Sequence, residues 1–366
     1  MVLRDSLVTV GVCVHNGERY LDAALQSALS QSHQRLEILV YDDGSTDGTG
    51  DILVTFRREN ENVVLVRSTH NLGLAYGRQV VTTLAQGDYL IWLDADDLYR
   101  PDRVRRLVEL AQETGADIIA DKYQLIDASN QLLDAFYEIP EYIRSDPHFT
   151  RLFERNRMIP HPLLRRTCFR AVHYDLLVHT ASDYDFWLKA SHAGFRFTAI
   201  DEVGLYYRRH SANLSDDHAR VKLEVQRIFD QYDLESLRAL YVARGYGTSI
   251  VDYMSCVQLI FRCRYRDALT YALREWSDEP WAHRDFYVGT ILLQLNDLTA
   301  ASRHLERHLA RYPNSPAGLN NFGVCLAMGD RDGTSFFRDA ARVLPGYQDA
   351  TNNLDGKGLH ITNTQI

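Results

Sequence analysis

The stretch Tyr89–Pro101, YLIWLDADDLYRP, changes from apolar to acidic within a few residues, and the rest of the chain can be interpreted outward from it. Residues 89–93 are apolar or aromatic and follow a Gly-Asp pair, which is typical of a short buried strand. Asp94, Asp96 and Asp97 therefore lie at the carboxyl end of that strand. In open α/β sheets, ligands bind at this edge.

Two interpretations of the three carboxylates stay open at this point. Crowded acids repel one another unless a cation or hydrogen-bond donors hold them, so the first interpretation is a divalent metal site that holds a phosphate ligand. The second is an acidic turn that caps the following helix, with Pro101 at the first helical position and Asp97 near the N-terminus.

Strand and helix patterns alternate along the chain before this stretch. Short apolar runs at residues 7–14, 36–41 and 63–66 predict buried strands. Apolar residues at helical spacing predict a helix after each of these strands, the last one ending near Leu84. This alternation with short connections predicts an α/β fold with a parallel, doubly wound sheet.

Beyond the acids the pattern continues and then becomes irregular. An amphipathic helix ends at Gly115, and a further strand begins at Ile118. Residues 123–170 mix aromatics, prolines and arginines, which indicates a loop region rather than a core. A helix from Ser182 and a pair of strands at residues 196–200 and 204–207 close a domain that we place at residues 1–232.

A weak internal repeat marks the chain from about residue 233. Like residues recur at intervals of 33 or 34 positions in four pairs: Gly289 and Gly323, Leu292 and Leu326, Ala268 and Ala301, Pro280 and Pro313. This spacing resembles tetratricopeptide repeats, in which small residues let two helices pack closely and a proline ends the second helix. About three degenerate units fit residues 233–350, the last shortened by Pro345. An unrelated helical bundle is the alternative.

Composition and the chain ends complete the outline. Residues 351–366 are rich in Asn, Gly and Thr without an apolar period, which predicts a disordered tail. The net charge of −9 argues against a nucleic-acid partner and against purely electrostatic binding to an anionic membrane. Five scattered cysteines without a C-x-x-C pair indicate neither a disulfide framework nor a zinc site. Because no signal peptide or membrane span is evident, we expect a soluble cytoplasmic protein, which can also work at the inner face of the membrane.

Six segments of the N-terminal part, in this order, resemble the family 2 glycosyltransferases, which have the GT-A fold. They lie between about Leu7 and Ser215 and read VCVHNGERYLDAALQSALSQ, YDDGSTDGT, NLGLAYGR, YLIWLDADDLYRPDRV, SDYDFWLKASHAGFRF and YYRRHSANLS. Each segment is weak alone, but six in register are highly specific. The resemblance implies transfer of a sugar from a nucleotide sugar to an acceptor.

The resemblance also assigns the acids of the opening stretch. Asp96 matches the family's metal ligand, Asp94 matches the position that faces the donor ribose, and Asp97 is left to the following helix. His210 matches a histidine near the metal and the diphosphate, with a surface or packed histidine as the alternative. Oxygen ligands favour Mg²⁺ or Mn²⁺, and such an ion stabilises the charge of a leaving diphosphate.

Four further residues match donor-binding positions in the family. Asp43 matches the carboxylate that accepts a hydrogen bond from the base, which suits uracil and therefore a UDP-sugar, while Asp42 is assigned to the turn. His15 replaces an aromatic residue that covers the base. Cys13 stands where relatives often have Thr or Ser, which removes a strong hydroxyl hydrogen bond. Arg78 matches a diphosphate-side arginine, with a solvated helix face as the alternative.

Asp183 matches the catalytic base of the family, and Ser182 stands where relatives have a neighbouring acid. Ser182 is predicted to cap a helix, which places Asp183 in the first turn, where the helix dipole keeps it ionised. A carboxylate is a weak base for an alcohol, so proton transfer must accompany attack. Trp187 on the same helix either packs in the core, which is the preferred interpretation, or flanks a sugar. The segment IPHPLLRRTCFR leaves two interpretations open, a face toward a phosphate-bearing acceptor or a solvated loop, for His161, Arg165, Arg166 and Arg170.

The sequence therefore predicts an inverting, metal-dependent glycosyltransferase that uses a UDP-sugar in a single displacement, with Asp183 as the base. The acceptor is either a peptide or protein, for which the helical domain offers a concave surface, or a saccharide or lipid-linked glycan. In the second case the helical domain serves a homodimer or a protein partner. Two other classes stay open: a binding or scaffold protein with a degenerate transferase domain, supported by Cys13 and Ser182, and a nucleotidyltransferase.

Overall fold

The structure is a computed structural model of the chain, and it describes residues 6–137, 139, 143, 146–148, 150–153, 161–210, 218–276, 283–344 and 347–363. The chain divides into two compact units, Met1–Val225 and Gln226–Ile366, so the boundary lies slightly before the predicted residue 233. In the described part of both units, every helix is too short or too polar to span a lipid bilayer.

Nine strands in the described part of the first unit form one sheet. Four parallel strands, in the order β3-β2-β1-β4, make up its first half: β1 (Val8–Val14), β2 (Leu36–Asp42), β3 (Val63–Arg67) and β4 (Tyr89–Trp92). The order continues from β4 as β8-β6-β9-β5, with β7 on β6, through β5 (Leu98–Tyr99), β6 (Ile118–Ile126), β7 (Leu132–Tyr137), β8 (Leu163–Arg165) and β9 (Phe197–Arg208).

The α/β class is confirmed, but the prediction of an all-parallel sheet is wrong for the second half. Strand β8 runs antiparallel to both β4 and β6, and β5 runs antiparallel to β9. Antiparallel neighbours need no helical crossover, so the irregular segment after β7 can return directly to the sheet centre. The two predicted strands at residues 196–207 are one strand, β9, which pairs in parallel with β6 and has register shifts along it.

Helices accompany these strands, and those up to residue 171 pack on the sheet, mostly through apolar residues at helical spacing. Their bounds are α1 (Leu21–Leu29), α2 (Thr49–Glu59), α3 (Leu74–Leu84), α4 (Arg103–Thr114), α5 (Arg166–Ala171), α6 (Ser182–His192) and α7 (His218–Asp230), with a 3₁₀ turn at Thr150–Phe153. Leucines of α1 and α4 share one buried cluster with the valines of β1. The helix predicted to start at Pro101 begins at Arg103, because Leu98 and Tyr99 first pair with β9.

The described part of the second unit is helical, with bounds α8 (Leu234–Ala243), α9 (Thr248–Phe261), α10 (Tyr265–Ala272), α11 (Arg284–Gln294), α12 (Leu298–Arg311), α13 (Pro316–Met328), α14 (Thr334–Val343) and α15 (Gln348–Leu354). Two glycines of the predicted repeat mark close helix contacts. A Cβ at Gly289 would lie 2.7 Å from Leu305, and one at Gly323 would lie 2.6 Å from Phe337. Pro280 and Pro345 lie outside the described residues, and the tetratricopeptide assignment stays a prediction.

The prediction of disorder from residue 351 is wrong for residues 351–363. Residues 351–354 complete α15, and residues 358–363 follow without helix or strand structure, with Thr362 buried. Hydrogen bonds to polar side chains hold this segment, and an apolar period is the wrong test for such contacts. Residues 364–366 lie outside the described part.

Candidate active site

The acidic turn after β4 presents its three carboxylates in different directions. The backbone N–H of Asp97 donates to the carbonyl of Asp94 at 3.1 Å and closes the turn. The side chains of Asp94 and Asp96 are 36% and 29% exposed, whereas that of Asp97 is 1% exposed. Two acids therefore face the surface and the third faces the interior.

Asp96 is joined to His210 at the end of β9. The His210 Nε2 atom lies 2.8 Å from the Asp96 Oδ2 atom, and the imidazole stacks on Tyr20 at 5.4 Å between ring centroids. The Arg208 Nε–H donates to the Asp96 carbonyl at 2.6 Å. Burial, together with the charge of Asp94, raises the pKa of the Asp96 carboxyl. The structure thus brings together the two residues that the sequence predicted as metal ligands, 114 positions apart.

Asp97 does not cap the following helix, so that prediction is wrong. Its Oδ1 atom accepts the backbone N–H of Arg208 at 2.8 Å, and its Oδ2 atom lies 3.4 Å from the Nε2 atom of His161. The intervening strand β5 separates Asp97 from α4, whose preceding residue is Asp102. Asp97 instead fastens the acidic turn to β9.

His161 lies between two of the acids and is buried, which overturns its assignment to an acceptor-facing or solvated loop. Its Nε2 atom is 3.3 Å from Asp94 Oδ2 as well as 3.4 Å from Asp97 Oδ2. Burial lowers the pKa of His161, but the two carboxylates outweigh this and raise it to about 9. Burial raises the pKa of Asp97 to about 6, while His161 and Arg78 overcome burial and hold that of Asp94 below its usual range. The protonated imidazole of His161 therefore offsets part of the negative charge of Asp94 and Asp97.

Among the described residues, the Asp94, Asp97 and His161 side chains also have one ligand atom each within 4.8 Å of the others. This distance is compatible with a shared cation, and carboxylate and imidazole suit Mn²⁺ or Mg²⁺. The inward Asp97 and His161 form an ion pair, but neither the Asp97 Oδ2 atom nor the His161 Nε2 atom has a hydrogen-bond partner among the described residues, which is compatible with a cation ligand at this place. The more exposed Asp96 and His210, beside Asp94, offer a second donor set at the same turn.

A buried arginine that the sequence analysis missed fixes the backbone of His161. Arg103 donates from Nε and Nη2 to both carboxylate oxygens of Asp121 at 2.8 Å, and from Nη2 to the His161 carbonyl at 2.8 Å. Its guanidinium lies 4.4 Å from the centroid of Tyr99. A Cβ at Gly204 would lie 1.9 Å from Asp121 Oδ2, so only glycine fits beside this pair. The sequence signal was an arginine directly after Pro-Asp at a helix start.

Asp43 connects the loops after β2 and β3. Its Oδ1 and Oδ2 atoms accept the backbone N–H groups of Leu72 and Gly73, each at 2.8 Å. The exposed His15 ring is anchored through Nδ1, 2.9 Å from the Asp43 carbonyl. Asp42 accepts the backbone N–H of Ser45 at 3.0 Å, which agrees with its predicted role in the turn. The predicted base-binding residues therefore belong to one hydrogen-bonded loop system.

Arg78 on α3 faces the interior, so its alternative as a solvated residue is excluded. The residue is 7% exposed, its Nη2 atom lies 3.6 Å from Asp94 Oδ1, and its guanidinium is 5.6 Å from the Trp92 ring. Burial lowers the pKa of Arg78, but Asp94, Tyr174 and Asp183 outweigh it and raise the pKa. Arg78 therefore lies within electrostatic reach of both the acidic turn and Asp183.

Cys13 lies in the same electrostatic neighbourhood. Burial raises the pKa of its thiol to about 12, against the opposing charge of Arg78 and with help from Asp94 and Asp43. The side chain stays a neutral thiol at pH 7. A thiol is a weak hydrogen-bond donor and acceptor, so Cys13 offers a ligand less hydrogen bonding than a Thr or Ser hydroxyl would.

Asp183 lies in the first turn of α6, as predicted, but Ser182 does not cap this helix. The preceding residue is Ala181, and the Ser182 hydroxyl has no hydrogen-bond partner among the described residues. The carboxylate of Glu224 on α7 instead accepts the backbone N–H groups of His179, Thr180 and Ala181 at 2.7–3.1 Å. An acid distant in sequence thus holds the backbone that leads into α6, and α6 itself has no side-chain cap.

Residues 9–174 match the family model described as "Glycosyl transferase family 2". Over this range the first unit is similar to the family 2 glycosyltransferases. The succinoglycan biosynthesis protein ExoO of Rhizobium meliloti is 26% identical over 83% of this chain and 90% of its own length. Glycosyltransferase GlyG of Streptococcus pneumoniae is 30% identical over 34% of this chain and 42% of its own length. These matches support a glycosyltransferase.

Solved structures agree on the fold of the glycosyltransferase domain. TarS residues 1–349 of S. aureus in complex with UDP has a TM-score of 0.53 and 16% identity, over 87% of this chain and 90% of that chain. This likeness shows a GT-A-like α/β fold followed by many helices. The chain spans 56% of a Bacillus subtilis relative and 42% of GlyG, about half the length of these curated proteins.

Three arginines of the glycosyltransferase domain, for which the sequence left the role open, donate hydrogen bonds to backbone carbonyls. Arg165 donates to the carbonyls of Ala111 and Ala116, Arg166 to those of Gly87 and Gln86, and Arg170 to those of Thr83 and Ala85. These carbonyls lie at helix ends and a turn, where cations bind favourably. The arginines therefore stabilise the fold of the domain through its backbone.

Trp187 is 2% exposed and packs on Phe186, as its preferred core assignment predicted.

Proposed function

We propose that the glycosyltransferase domain moves a sugar from a nucleotide sugar, with a UDP-sugar as the donor, to an acceptor nucleophile with inversion. The observation that carries this proposal is the buried Arg78, whose Nη2 atom lies 3.6 Å from Asp94 Oδ1 and whose pKa is raised by the charge of Asp94 and, to a smaller extent, by that of Asp183. A guanidinium at this place suits a diphosphate, and a carboxylate beside it suits an acceptor proton. TarS structures with UDP and UDP-GlcNAc agree with the donor class.

The residues at the acidic turn fit a divalent cation. Asp96 and Asp94 offer carboxylate oxygens, and His210 adds an imidazole nitrogen 2.8 Å from Asp96. Burial and the neighbouring charge of Asp94 raise the pKa of Asp96, so its ionised form is disfavoured in the absence of a counter-charge. A bound cation would supply that counter-charge. Mg²⁺ or Mn²⁺ bound here would neutralise the charge of a leaving diphosphate.

The remaining chemistry belongs to side chains of this chain. His15 and Asp43 hold the base, and Arg78 offsets the phosphate charge. Asp183 accepts the acceptor's proton on Oδ2, because its Oδ1 atom already accepts the backbone N–H of Tyr184 at 2.7 Å. As that proton moves, the acceptor oxygen bonds to the anomeric carbon and the bond from this carbon to the diphosphate oxygen breaks. One displacement inverts the anomeric centre.

Two acceptor classes have separate support. ExoO acts in succinoglycan biosynthesis by name, and WfaP of Escherichia coli, 24% identical over 57% of this chain and 80% of its own length, is named for a glucosyl transfer to a diphosphoundecaprenol-linked sugar. These names favour a saccharide or lipid-linked acceptor. A tetratricopeptide-like second unit favours a peptide or protein acceptor, or a protein partner.

Donor hydrolysis tests the proposal without knowledge of the acceptor. The purified full chain is incubated with a panel of UDP-, GDP- and dTDP-sugars, with Mn²⁺, with Mg²⁺ and with a chelator, and release of the nucleoside diphosphate is measured. We expect metal-dependent release from a UDP-sugar and its loss in Asp96→Ala. Asp102→Ala, at a half-exposed acid that lies beyond β5 and directly before α4, is the control and keeps the activity.

Absence of release together with absence of donor binding in calorimetry would favour the scaffold alternative. Transfer of a nucleotidyl group, with release of pyrophosphate from a nucleoside triphosphate and a sugar phosphate, would favour the nucleotidyltransferase.

A further inference from the structure

Buried asparagines on the second unit form a polar face that folding alone does not require. Asn320 and Asn321 are consecutive and fully buried in α13, a helix whose other residues are mostly apolar. Burying a side-chain amide is costly unless its N–H and C=O groups find partners. Their partners show what this face recognises. We call it the asparagine face, and it comprises Thr290, Asn320, Asn321, Tyr347, Asp349 and Asn353.

Asn321 binds both backbone groups of Thr362. The Thr362 N–H donates to Asn321 Oδ1 at 2.7 Å, and Asn321 Nδ2 donates to the Thr362 carbonyl at 2.7 Å. The second hydrogen of the same amide donates to the Thr290 hydroxyl of α11 at 2.9 Å. The amide of Asn321 therefore forms a closed pair with one peptide residue and is itself oriented by the neighbouring helix.

Asn353 on α15 forms the same kind of pair with His360, two residues before Thr362. The His360 N–H donates to Asn353 Oδ1 at 2.6 Å, and Asn353 Nδ2 donates to the His360 carbonyl at 3.1 Å. Asn320 Nδ2 donates to the same carbonyl at 2.8 Å. In an extended peptide, residues two positions apart direct their backbone groups to the same edge. The two asparagines thus match the repeat of an extended peptide main chain.

One side chain of the segment is also recognised. The Thr362 hydroxyl donates to Asp349 Oδ2 at 2.6 Å, accepts from Asn320 Nδ2 at 3.3 Å and contacts the Tyr347 hydroxyl. Thr362 is 6% exposed, whereas His360 and Ile361 are half-buried and Leu359 is exposed. The asparagine face therefore selects a hydroxyl at one position and tolerates other side chains around it.

We propose that the asparagine face is a binding site for an extended peptide that carries Thr or Ser at one position, and that residues 358–363 occupy it as an internal ligand. Main-chain recognition by the two asparagines supplies affinity for any extended segment. The pocket of Asp349, Tyr347 and Asn320 supplies the hydroxyl requirement. A peptide from another polypeptide offers the same groups and binds by displacing the internal segment. This site does not depend on the glycosyl-transfer proposal.

The test measures binding of a fluorescent peptide with the sequence of residues 358–363, GLHITN, to the full chain by anisotropy. Thr362→Val in the chain removes the hydroxyl contacts of the internal segment and loosens it. We expect this variant to bind the peptide about tenfold more tightly than the wild type, since the competitor occupies the face less often. A peptide with Val in place of Thr should bind about tenfold more weakly than the Thr peptide.

Two adjacent asparagines of α15 provide the matched controls on the Thr362→Val background. Asn353→Ala should abolish peptide binding, whereas Asn352→Ala, whose side chain accepts from Gln348 at 2.8 Å, should retain it. If Asn353→Ala does not fold, the affinities of the Thr and Val peptides for the Asn352→Ala variant are compared instead, and a weaker affinity of the Val peptide supports the proposal. Absence of binding in every variant, equal affinity for both peptides, or a dimer that forms by exchange of segment 358–363 would overturn the proposal.

Discussion

Glu224 holds the backbone directly before the helix that carries Asp183, although the two residues lie far apart in the chain. Its carboxylate accepts three consecutive backbone N–H groups directly before α6, and these bonds overcome burial to lower the pKa of Glu224. The position of the proposed base thus depends on an acid of α7. Under the proposed function, Asp183 accepts the proton and Glu224 helps to hold the helix that carries Asp183 in place.

Replacing Glu224 with Ala should lower the free energy of unfolding by about 2 kcal/mol, because the buried N–H group of Ala181 and the part-buried N–H groups of His179 and Thr180 lose a charged acceptor. Transfer should fall more than donor hydrolysis, since only transfer needs Asp183 at its place. Urea unfolding and parallel assays of the two activities measure this. Arg220→Ala, which removes only the half-exposed partner of Glu224, should change both quantities much less. Equal effects of the two substitutions would contradict this role of Glu224.

Replacing Asp183 with Asn should abolish transfer to an acceptor while leaving donor affinity within about twofold of the wild type, because the amide cannot accept the proton. The donor Kd is measured by calorimetry and transfer by product formation. Asp175→Asn, at an acid on the loop that precedes α6, serves as the control and should remain active. Full transfer by Asp183→Asn would refute its assignment as the base.

Replacing His161 with Ala should lower the free energy of unfolding by about 3 kcal/mol, because it leaves the buried carboxylate of Asp97 without a counter-charge. Adding Asp97→Asn removes that charge, so the double variant should be more stable than His161→Ala alone. A double-mutant cycle by urea unfolding measures the coupling. Additive effects would show that the two side chains do not act as a pair.

The stability of the second unit should fall in weak acid through His308. Burial, reinforced by His283, lowers the pKa of His308 to about 4, below the unfolded value of about 6.5. The unfolded chain therefore binds a proton that the folded chain does not, so this contribution is complete above pH 6.5 and decreases as the pH falls. Between pH 7.5 and pH 5 the loss should be about 2 kcal/mol.

His308→Phe should remove most of this pH dependence, since Phe fits the aromatic surroundings of Phe286 and Tyr312 without a titrating group. Urea titrations of the full chain at both pH values, followed by the helical circular dichroism signal, measure it. An unchanged pH dependence in the variant would assign the effect to another group.

Local patterns predicted the first half of the domain well, because each of its strands is an apolar run with a polar stop. The runs at residues 7–14, 36–41, 63–66 and 89–93 correspond to β1 to β4 with ends that differ by a residue. The second half depends on antiparallel pairing across long connections, which no local period encodes. The sheet order could therefore not be predicted beyond β4.

The site followed the same division. Residues next to strand ends, such as Asp43, Asp94 and Asp96, could be chosen as candidates because their motifs are local. His161 and Arg103 were missed or misassigned, because a buried histidine between acids and an arginine on a carbonyl are tertiary relationships. Asn320 and Asn321 carried a signal that was available from the sequence: two adjacent amides within a mostly apolar helical pattern.

The bonds from Asp43 to the backbone of Leu72 and Gly73 have a consequence for donor affinity. They cross-link the loops after β2 and β3 before any ligand arrives, so a base bound here under the proposed function would meet backbone that is already fixed. Such binding would lose little conformational entropy in the protein, and more of the contact energy would remain as affinity. The proposed donor site would then be preformed, with its stiffness supplied by one aspartate.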